Sequence, residues 1–387
     1  MSVTKQMFEI VEGVSDARCA CDVKIPLADI LTLSMCAILA GNETIDDIVL
    51  YGEMNDTWLE NRFGIRKVPS ATTLRRVLKL VSPVELGQAT LSLMQEAIGK
   101  SGDIIAIDGK AIRSTEKMAQ IKRGMRILSA YDTQASMSIG QLEVGEKTNE
   151  IPVMLDLLRL LEIGGRIITA DAMHCQRETC KAIIKGGGDY VLQVKRNQPE
   201  LYEVIQSVMD RDIKEELEAL EMAESYDVCH GRKEHRICYL ERVDWLDGKE
   251  SWEGLNLFIA VDRIVEEKNE VRTERSYYIS SLLGTAQHHL QIVREHWKIE
   301  SMHWMLDVTF HEDACRSQDA VLQMNLNLLR KMALALHKNY LTALEESGDR
   351  KKEARSLKQN MKRCGMSHRV LESVITQDIT LAKKQVV

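Results

Sequence analysis

The chain has 387 residues, of which 44% are hydrophobic and 28% are charged, and its formal net charge is −7. This length allows two or three domains with substantial cores, and the composition is that of an ordinary globular protein. Because the net charge is negative, any nucleic-acid binding has to come from local patches of positive charge.

Cysteine spacing and hydropathy indicate the class of protein. The nine cysteines form no CxxC pair and no Cys/His pattern typical of zinc, which favours reduced thiols in a cytosolic protein. The N-terminal segment has no basic start followed by an apolar stretch, so no signal peptide is predicted. The most apolar run, residues 25–41, is interrupted by Pro26 and Asp29 and is too short to span a bilayer.

Residues 1–100 are predicted to be a helical domain that binds DNA. Within it, Ser70 precedes an apolar and basic run, which is a helix start signal. Arg75, Arg76 and Lys79 would lie close together on that helix. They are either a solvated face or contacts to DNA phosphates.

Two apolar runs each lead into an aspartate. "DIIAIDGKAIRS" reaches Asp108, and "GRIITADAMHCQ" reaches Asp171. An unbroken apolar run predicts a strand buried on both faces, and ligands of open α/β sheets lie at the carboxyl ends of such strands. One such aspartate could be a turn or cap residue. Two of them, both after Ile-rich strands, favour a shared metal site.

Residues 101–199 show the order strand, strand, strand, helix, strand, helix, strand. This α/β order is typical of an RNase H-like core with a mixed sheet and helices on both faces. Lys110 follows Asp108 closely, and Lys195 and Asn197 follow the last core strand. We expect these three side chains to contact the DNA backbone, although Lys110 could also be simply exposed.

The remaining chain divides into three parts. Alternating segments in residues 200–285 predict a β-rich insertion, and residues 286–345 are predicted to return to the core as helices. Residues 346–387 are basic and are interpreted as a solvated helix or tail.

A third carboxylate is predicted in "REHWKIESMHWMLDVTFHEDACR", residues 294–316. In helical register Arg294, Trp297 and Glu300 share a face, and Trp304 follows one turn later. A glutamate between two tryptophans is not expected on a purely solvated face. Core packing is favoured for Trp297, with stacking on a displaced base as the alternative. Further candidates in this segment are Asp307, Glu312, Asp313, His296, His303 and His311.

Seven stretches occur in one order along nearly the whole chain. They are "PLADILTLSMCAILAG", "PSATTLRRVL", "AIDGKAIR", "EKTNEIP" (146–152), "TADAMHCQ", "GGDYVLQVKRNQPEL" (187–201) and "HWKIESMHWMLDVTFHEDACR" (296–316). In this order they resemble the DDE transposases of bacterial insertion sequences, and most closely the H-repeat-associated group.

The resemblance implies an RNase H-like (DDE) catalytic core in which Asp108, Asp171 and Glu300 are the catalytic, metal-binding carboxylates. It also implies Mg²⁺ or Mn²⁺ as cofactor, as a pair of ions. Many related transposases carry an arginine four residues before the glutamate and a lysine seven residues after it. Here these positions are His296 and Asp307, so Arg294, His296 and Lys298 are the candidates for holding phosphate.

Phosphodiester cleavage explains why three carboxylates are needed. Two divalent ions about 4 Å apart stabilise both the entering and the leaving oxygen. Mg²⁺ prefers carboxylate oxygen and water, and one or two carboxylates per ion suffice. We expect Asp108 to bridge both ions, and Asp171 and Glu300 to hold one each. Without metal, three clustered negative charges would raise at least one pKa.

The predicted function is therefore DNA transposition: metal-dependent cleavage at the ends of an insertion sequence, then strand transfer. The expected partners are the terminal inverted repeats and target DNA, bound by a dimer in the cytoplasm at the nucleoid, without membrane contact. One alternative is a domesticated or inactive relative that only binds DNA through residues 1–100. The other is an RNase H-like nuclease. The intact set of three carboxylates favours the transposase.

Overall fold

The computed structural model describes residues 13–99, 101–112, 125–145, 149–214, 220–229, 231–268, 270–315, 317, 319–349 and 356–383. Parts of the sequence motifs lie outside these residues, namely Arg113, residues 146–148 and Arg316, as do residues 350–355 of the basic C-terminal segment.

Five helices are described before the first strand: α1 (Leu27–Leu39), α2 (Ile45–Met54), α3 (Asp56–Phe63), α4 (Ala71–Leu78) and α5 (Pro83–Ile98). Local sequence explains where they begin. Thr44 and Asp47 form a capping box at α2, and the predicted start signal at Ser70 is correct, since its side chain accepts from the Thr73 N–H. Eleven of the 13 residues of α1 are buried, which matches its apolar run.

Nine strands are described: β1 (Ile104–Ala111), β2 (Arg126–Asp132), β3 (Met137–Val144), β4 (Ile167–Ala170), β5 (Asp189–Val194), β6 (Glu221–Cys229), β7 (Arg232–Arg242), β8 (Leu257–Glu267) and β9 (Glu270–Ser280). They form one sheet in the order β3-β2-β1-β4-β5-β9-β8-β7-β6. The helices α6 (Glu150–Leu160), α7 (Arg177–Lys185) and α8 (Pro199–Lys214) connect strands.

The first five strands confirm the RNase H-like fold class. β1, β4 and β5 are parallel, and β2 and β3 continue the sheet beside β1 as antiparallel strands. Buried side chains of α6, α7 and α8 form one apolar cluster with one face of this sheet. In β1 and β4 the residues Ile104–Ile107 and Ile167–Ala170 are all buried, as the unbroken apolar runs predict.

The β-rich insertion extends the core sheet. β6, β7, β8 and β9 pair antiparallel in chain order, and β9 pairs antiparallel with β5. The insertion is therefore joined to the core by backbone hydrogen bonds as well as by its connections.

The C-terminal helices are α9 (Ala286–Val308), α10 (Ala320–Glu346), α11 (Leu357–Met366) and α12 (His368–Thr376). Nineteen of the 27 residues of α10 are buried. Buried side chains of α10, α11 and α12 form a single apolar cluster with those of α1–α5 and with the β1–β3 face.

This packing corrects the expectation of a solvated C-terminal tail for residues 356–383. The two short helices bury the apolar side chains Met361, Val370, Leu371, Val374 and Ile375. Each such side chain contributes about 1.5–3 kcal/mol when fully buried, which outweighs the preference of the basic residues for solvent. Across the described part of the chain, no helix has the length and apolar character needed to cross a membrane.

Candidate active site

A cavity of about 210 Å³ lies where β1 and β4 meet helix α9. Asp108, Asp171 and Glu300 all line it, although they come from three distant segments of the chain. The structure thus brings together the three carboxylates that the sequence singled out.

Strand register brings the two aspartates together. Ile107 of β1 and Ala170 of β4 are the last residues paired between the two parallel strands. The next residues, Asp108 and Asp171, therefore lie side by side. Asp171 follows the end of β4, as predicted. Asp108 does not end its strand, because β1 continues to Ala111 along β2.

Helix α9 is fixed over this edge by three polar contacts. His296 Nδ1 lies 3.0 Å from Thr169 Oγ1 in β4, and His303 Nδ1 lies 3.3 Å from Asp108 Oδ2. One turn further on, Asp307 accepts a 2.5 Å hydrogen bond from Lys110 Nζ. The anchors His296, His303 and Asp307 share a helix face with Glu300, since they lie four residues before it and three and seven after it. These contacts on both sides of Glu300 hold its part of α9 against the edge of the sheet.

Asp108 is the best-compensated of the three carboxylates. Burial by itself would raise its pKa, but the His303 contact and the Gly109 N–H, which donates at 2.8 Å, hold the pKa below its ordinary value. Asp108 is thus ionised and oriented on two sides before any ligand arrives.

The other two carboxylates are not compensated in this way. Burial raises the pKa of Asp171; His174 opposes this rise, and the charges of Asp108 and Glu150 add to it. Burial also raises the pKa of Glu300, with further repulsion from Asp108 and Asp171. The charge of Asp108 thus raises the pKa of both Asp171 and Glu300, and the charge of Lys195 opposes the rise at each of them.

These donors fit divalent cations. Asp171 Oδ1 is buried and has no hydrogen-bond partner in the described structure. Ionised carboxylate oxygens are the ligands that Mg²⁺ prefers. In the described ranges no group of three or more His, Cys, Asp or Glu side chains is arranged to hold a metal ion by itself.

Two buried residues behind the aspartates, Glu150 and His174, were not predicted from the sequence. Both are buried, and His174 Nε2 lies 3.6 Å from Glu150 Oε2 and 3.9 Å from Asp171 Oδ1. The Glu150 carboxylate packs so tightly on Gly109 that a Cβ there would collide with it. The signal was available, because Glu150 is part of the "EKTNEIP" motif and Gly109 follows Asp108.

Lys110 corrects an expectation. Its side chain is only 9% exposed, and its ammonium donates to Asp307 at 2.5 Å and to Glu312 at 2.7 Å. A cation held by two carboxylates inside the protein is not available to a DNA phosphate. The position seven residues after Glu300 thus binds a lysine of the neighbouring strand.

The three phosphate-holding candidates on α9 differ in their surroundings. Arg294 lines the cavity and donates to both Asp227 oxygens, at 2.9 and 2.7 Å. Lys298 pairs with Glu295 at 2.7 Å and donates to the Thr133 carbonyl. His296 also lines the cavity and is the anchor to Thr169.

Further cations line the cavity from the sheet. Lys195 is exposed and lines it directly, and Asn197 donates to the Ala172 carbonyl at 2.6 Å, which ties its loop to the turn after Asp171. Arg236 and Arg263 of the insertion also line the cavity; neither was predicted, because their strands are distant in sequence.

Trp297 is 46% exposed, and the Arg263 guanidinium lies 5.5 Å from its ring centroid. The core packing predicted for Trp297 is therefore wrong, whereas stacking on a base stays a prediction. Arg75 and Arg76 are exposed on α4, and Arg75 lies 3.9 Å from Asp46. Their contact with DNA also stays a prediction.

Two family models match the chain. Residues 99–336 match the transposase DDE domain, and residues 8–94 match the DDE_Tnp_1-associated family. The first match spans the sheet, the cavity and most of α10.

Curated relatives match over nearly the full length. The chain is 32% identical over 385 residues to the "H repeat-associated putative transposase YhhI" of Escherichia coli K12, covering 96% of this chain and 98% of the relative. It is also 32% identical to the "Putative protein YbfL" of the same strain, with the same coverage. Among solved structures, a piggyBac transposase chain in a synaptic complex with hairpin DNA has a TM-score of 0.48 at 13% identity, covering 100% of this chain and 82% of that one.

Proposed function

Because this chain belongs to the transposase DDE domain family, we propose that it cuts DNA at the ends of an insertion sequence and joins those ends to target DNA. The family places it in the nuclease and transposase class, whose DDE domains generally use divalent metal ions. Cleavage, strand transfer and the roles of individual residues are the proposal.

One observation carries it. Asp108, Asp171 and Glu300 line a single cavity, and the charge of Asp108 raises the pKa of the other two carboxyl groups. The Asp171 Oδ1 atom is buried and has no hydrogen-bond partner in the described structure, and an unpaired buried charge is costly. Such an arrangement is typical of a site that completes itself with a charged ligand.

Each carboxylate has a different task in this proposal. Bound Mg²⁺ or Mn²⁺, as a pair of ions, would supply charge neutralisation at the scissile phosphate and a more acidic water. Asp108 is held ionised by His303 and Gly109 and would contact both ions. Asp171 offers an unpartnered oxygen, and Glu300 is presented by the anchored helix α9.

Positive groups around the cavity would hold the DNA backbone. Lys195, Arg236 and Arg263 line the same cavity as the carboxylates. We assign Lys195 and Arg263 to phosphates near the scissile bond, with Asn197, Arg294 and Lys298 beside them. Arg75 and Arg76 on α4 would contact the terminal inverted repeat. Joining two ends calls for a dimer on DNA.

The test is cleavage of labelled DNA that carries the element end and its flank, by the full-length chain with Mg²⁺. We expect a nick or break at the boundary that is lost in Glu300→Gln. The matched control is Glu266→Gln, the same change at an exposed residue that does not line the cavity and pairs with Lys233. The control should cut like the wild type.

Two outcomes would overturn the proposal. If the wild type binds the end DNA but does not cut it with Mg²⁺ or Mn²⁺, the chain acts as a DNA-binding protein. If it cuts RNA–DNA hybrids or unrelated DNA equally well, without preference for the element end, it is an RNase H-like nuclease of another function.

A further inference from the structure

We propose that Lys110, Asp307 and Glu312 form a buried ionic bracket that sets the distance between Asp108 and Glu300, and so positions the metal-binding carboxylates. The inference rests on the proposed function. It assigns positioning roles to three residues that do not themselves line the cavity.

The bracket connects the two elements that carry the carboxylates. Lys110 is two residues after Asp108 on β1, so both side chains leave the same face of the strand. Asp307 is two turns after Glu300 on α9, on the same helix face. The 2.5 Å contact between Lys110 Nζ and Asp307 Oδ1 therefore ties the strand to the helix close to both carboxylates.

Glu312 fixes the lysine from a second side. It is fully buried in the short turn after α9, and it accepts from Lys110 Nζ at 2.7 Å and from Asn327 Nδ2 at 2.7 Å. Arg330 Nη1 lies 3.9 Å away. Since Asn327 and Arg330 belong to the buried helix α10, the bracket is anchored in the core.

The ammonium also donates to the His303 carbonyl at 3.4 Å, while the His303 ring contacts Asp108. The lysine thus holds the helix turn that orients Asp108. A structural ion pair could lie anywhere along this interface, but this one lies between the carboxylate of the strand and the carboxylate of the helix. Groups that orient ligating carboxylates typically change metal affinity by about 10–100-fold when they are removed.

The experiment measures Mn²⁺ binding to the full-length chain by isothermal titration calorimetry, at a temperature where circular dichroism shows every variant folded. Asp307→Asn is the main variant, because Asp307 is 32% exposed and the change is isosteric. We expect its Mn²⁺ dissociation constant to rise about tenfold. Asp307→Glu, which keeps the charge, should recover most of the affinity.

Lys110→Met should also weaken Mn²⁺ binding. Lys110→Met with Asp307→Asn should be no worse than Lys110→Met alone, because the lysine substitution already removes the contact to Asp307 together with the contact to Glu312. The control is Glu372→Gln, which breaks an ion pair to Arg62 that is similarly part-buried and far from the cavity. It should lower thermal stability without changing Mn²⁺ affinity.

The outcomes separate this inference from the function on which it rests. If the wild type binds Mn²⁺ and cuts DNA, but Asp307→Asn binds Mn²⁺ within about twofold of the wild type, the bracket is overturned and the transposase stands. Should the wild type neither bind Mn²⁺ nor cut, the proposed function falls, and the bracket falls with it.

Discussion

Two groups of charged residues lie along the contact between β1 and α9, and burial of their carboxylates is compensated to different degrees. In the cavity, Asp171 and Glu300 lie near Asp108. Burial and the charge of Asp108 raise the pKa values of both Asp171 and Glu300. In the buried group, Glu312 is fully enclosed, yet Lys110 and Arg330 hold its pKa below the ordinary value against the effect of burial.

Under the proposed function, the first group serves binding and the second serves stability. Asp108 and Lys110 are two residues apart on one strand, and Glu300 and Asp307 are seven apart on one helix. Charges matched within the protein hold the elements together, and the proposal assigns ligand binding to the carboxylates that lack such partners. Substitutions in the two groups should therefore have opposite consequences.

Asp171→Asn should give the largest effect on activity. The loss of one metal-binding carboxylate removes several kcal/mol of transition-state stabilisation, so we expect DNA cleavage to fall by about 10³-fold or more. The metal-free variant should melt no lower than the wild type, because one repulsive charge is gone. Mn²⁺ should raise the melting temperature of the wild type only; an equal rise in the variant would contradict the metal site.

Glu312→Ala should give the largest effect on stability. It leaves Lys110 buried without one of its carboxylates, and breaking a buried pair costs about 3–5 kcal/mol. Urea denaturation followed by circular dichroism measures this loss. Asp244→Ala, which removes an exposed partner of Arg242 and Lys249, is the control and should cost less than about 1 kcal/mol. Equal losses would show that the buried group has no special role.

Lys331→Met tests the electrostatics around Glu312 through the pH dependence of stability. Lys331 is buried and donates to Ser129 and Gln141, and burial lowers its pKa to about 7, with Glu312 opposing and Lys110 assisting. The unfolded chain keeps the proton up to the ordinary lysine pKa, so wild-type stability should rise as pH increases from 7 toward 10. We expect a gain of roughly 3–4 kcal/mol relative to the methionine variant. Parallel pH profiles would contradict a depressed pKa.

Arg263→Ala should have the smallest effect and concerns the rim of the cavity. Arg263 lies over Trp297 and pairs with Glu234, so its removal should weaken binding of element-end DNA several-fold and reduce the salt slope by about 1. Arg272→Ala is the control, since Arg272 does not line this cavity and pairs with Glu270 near the tip of the insertion. The same salt slope in both variants would remove Arg263 from the DNA contacts.

Much of the fold could be predicted because its signals are local. The apolar runs before Asp108 and Asp171 are buried strands, and Ser70 caps a helix. The three carboxylates could be proposed because Asp108 and Asp171 follow such apolar runs and Glu300 lies within a recognisable motif. Their convergence depends on the register of Ile107 with Ala170 and on the docking of α9, which no local pattern contains.

The errors have physical causes. Lys110 was expected to contact DNA, but its partners Asp307 and Glu312 are 197 and 202 residues away in sequence. Trp297 was expected in the core because indole rings are usually buried, whereas a cation–π contact holds it at the cavity. In the C-terminal segment the basic residues predict exposure to solvent, whereas the apolar residues recur at helical spacing and are buried.

The position of α10 has a consequence for synthesis of the protein on the ribosome. This helix completes the apolar cluster of α1–α5, yet it is translated roughly 250 residues later, which takes about 12–50 s at typical elongation rates. Until then the nascent helices carry uncovered apolar surface, which chaperones are suited to cover. A chain cut short before residue 320 would leave that surface exposed and prone to aggregate.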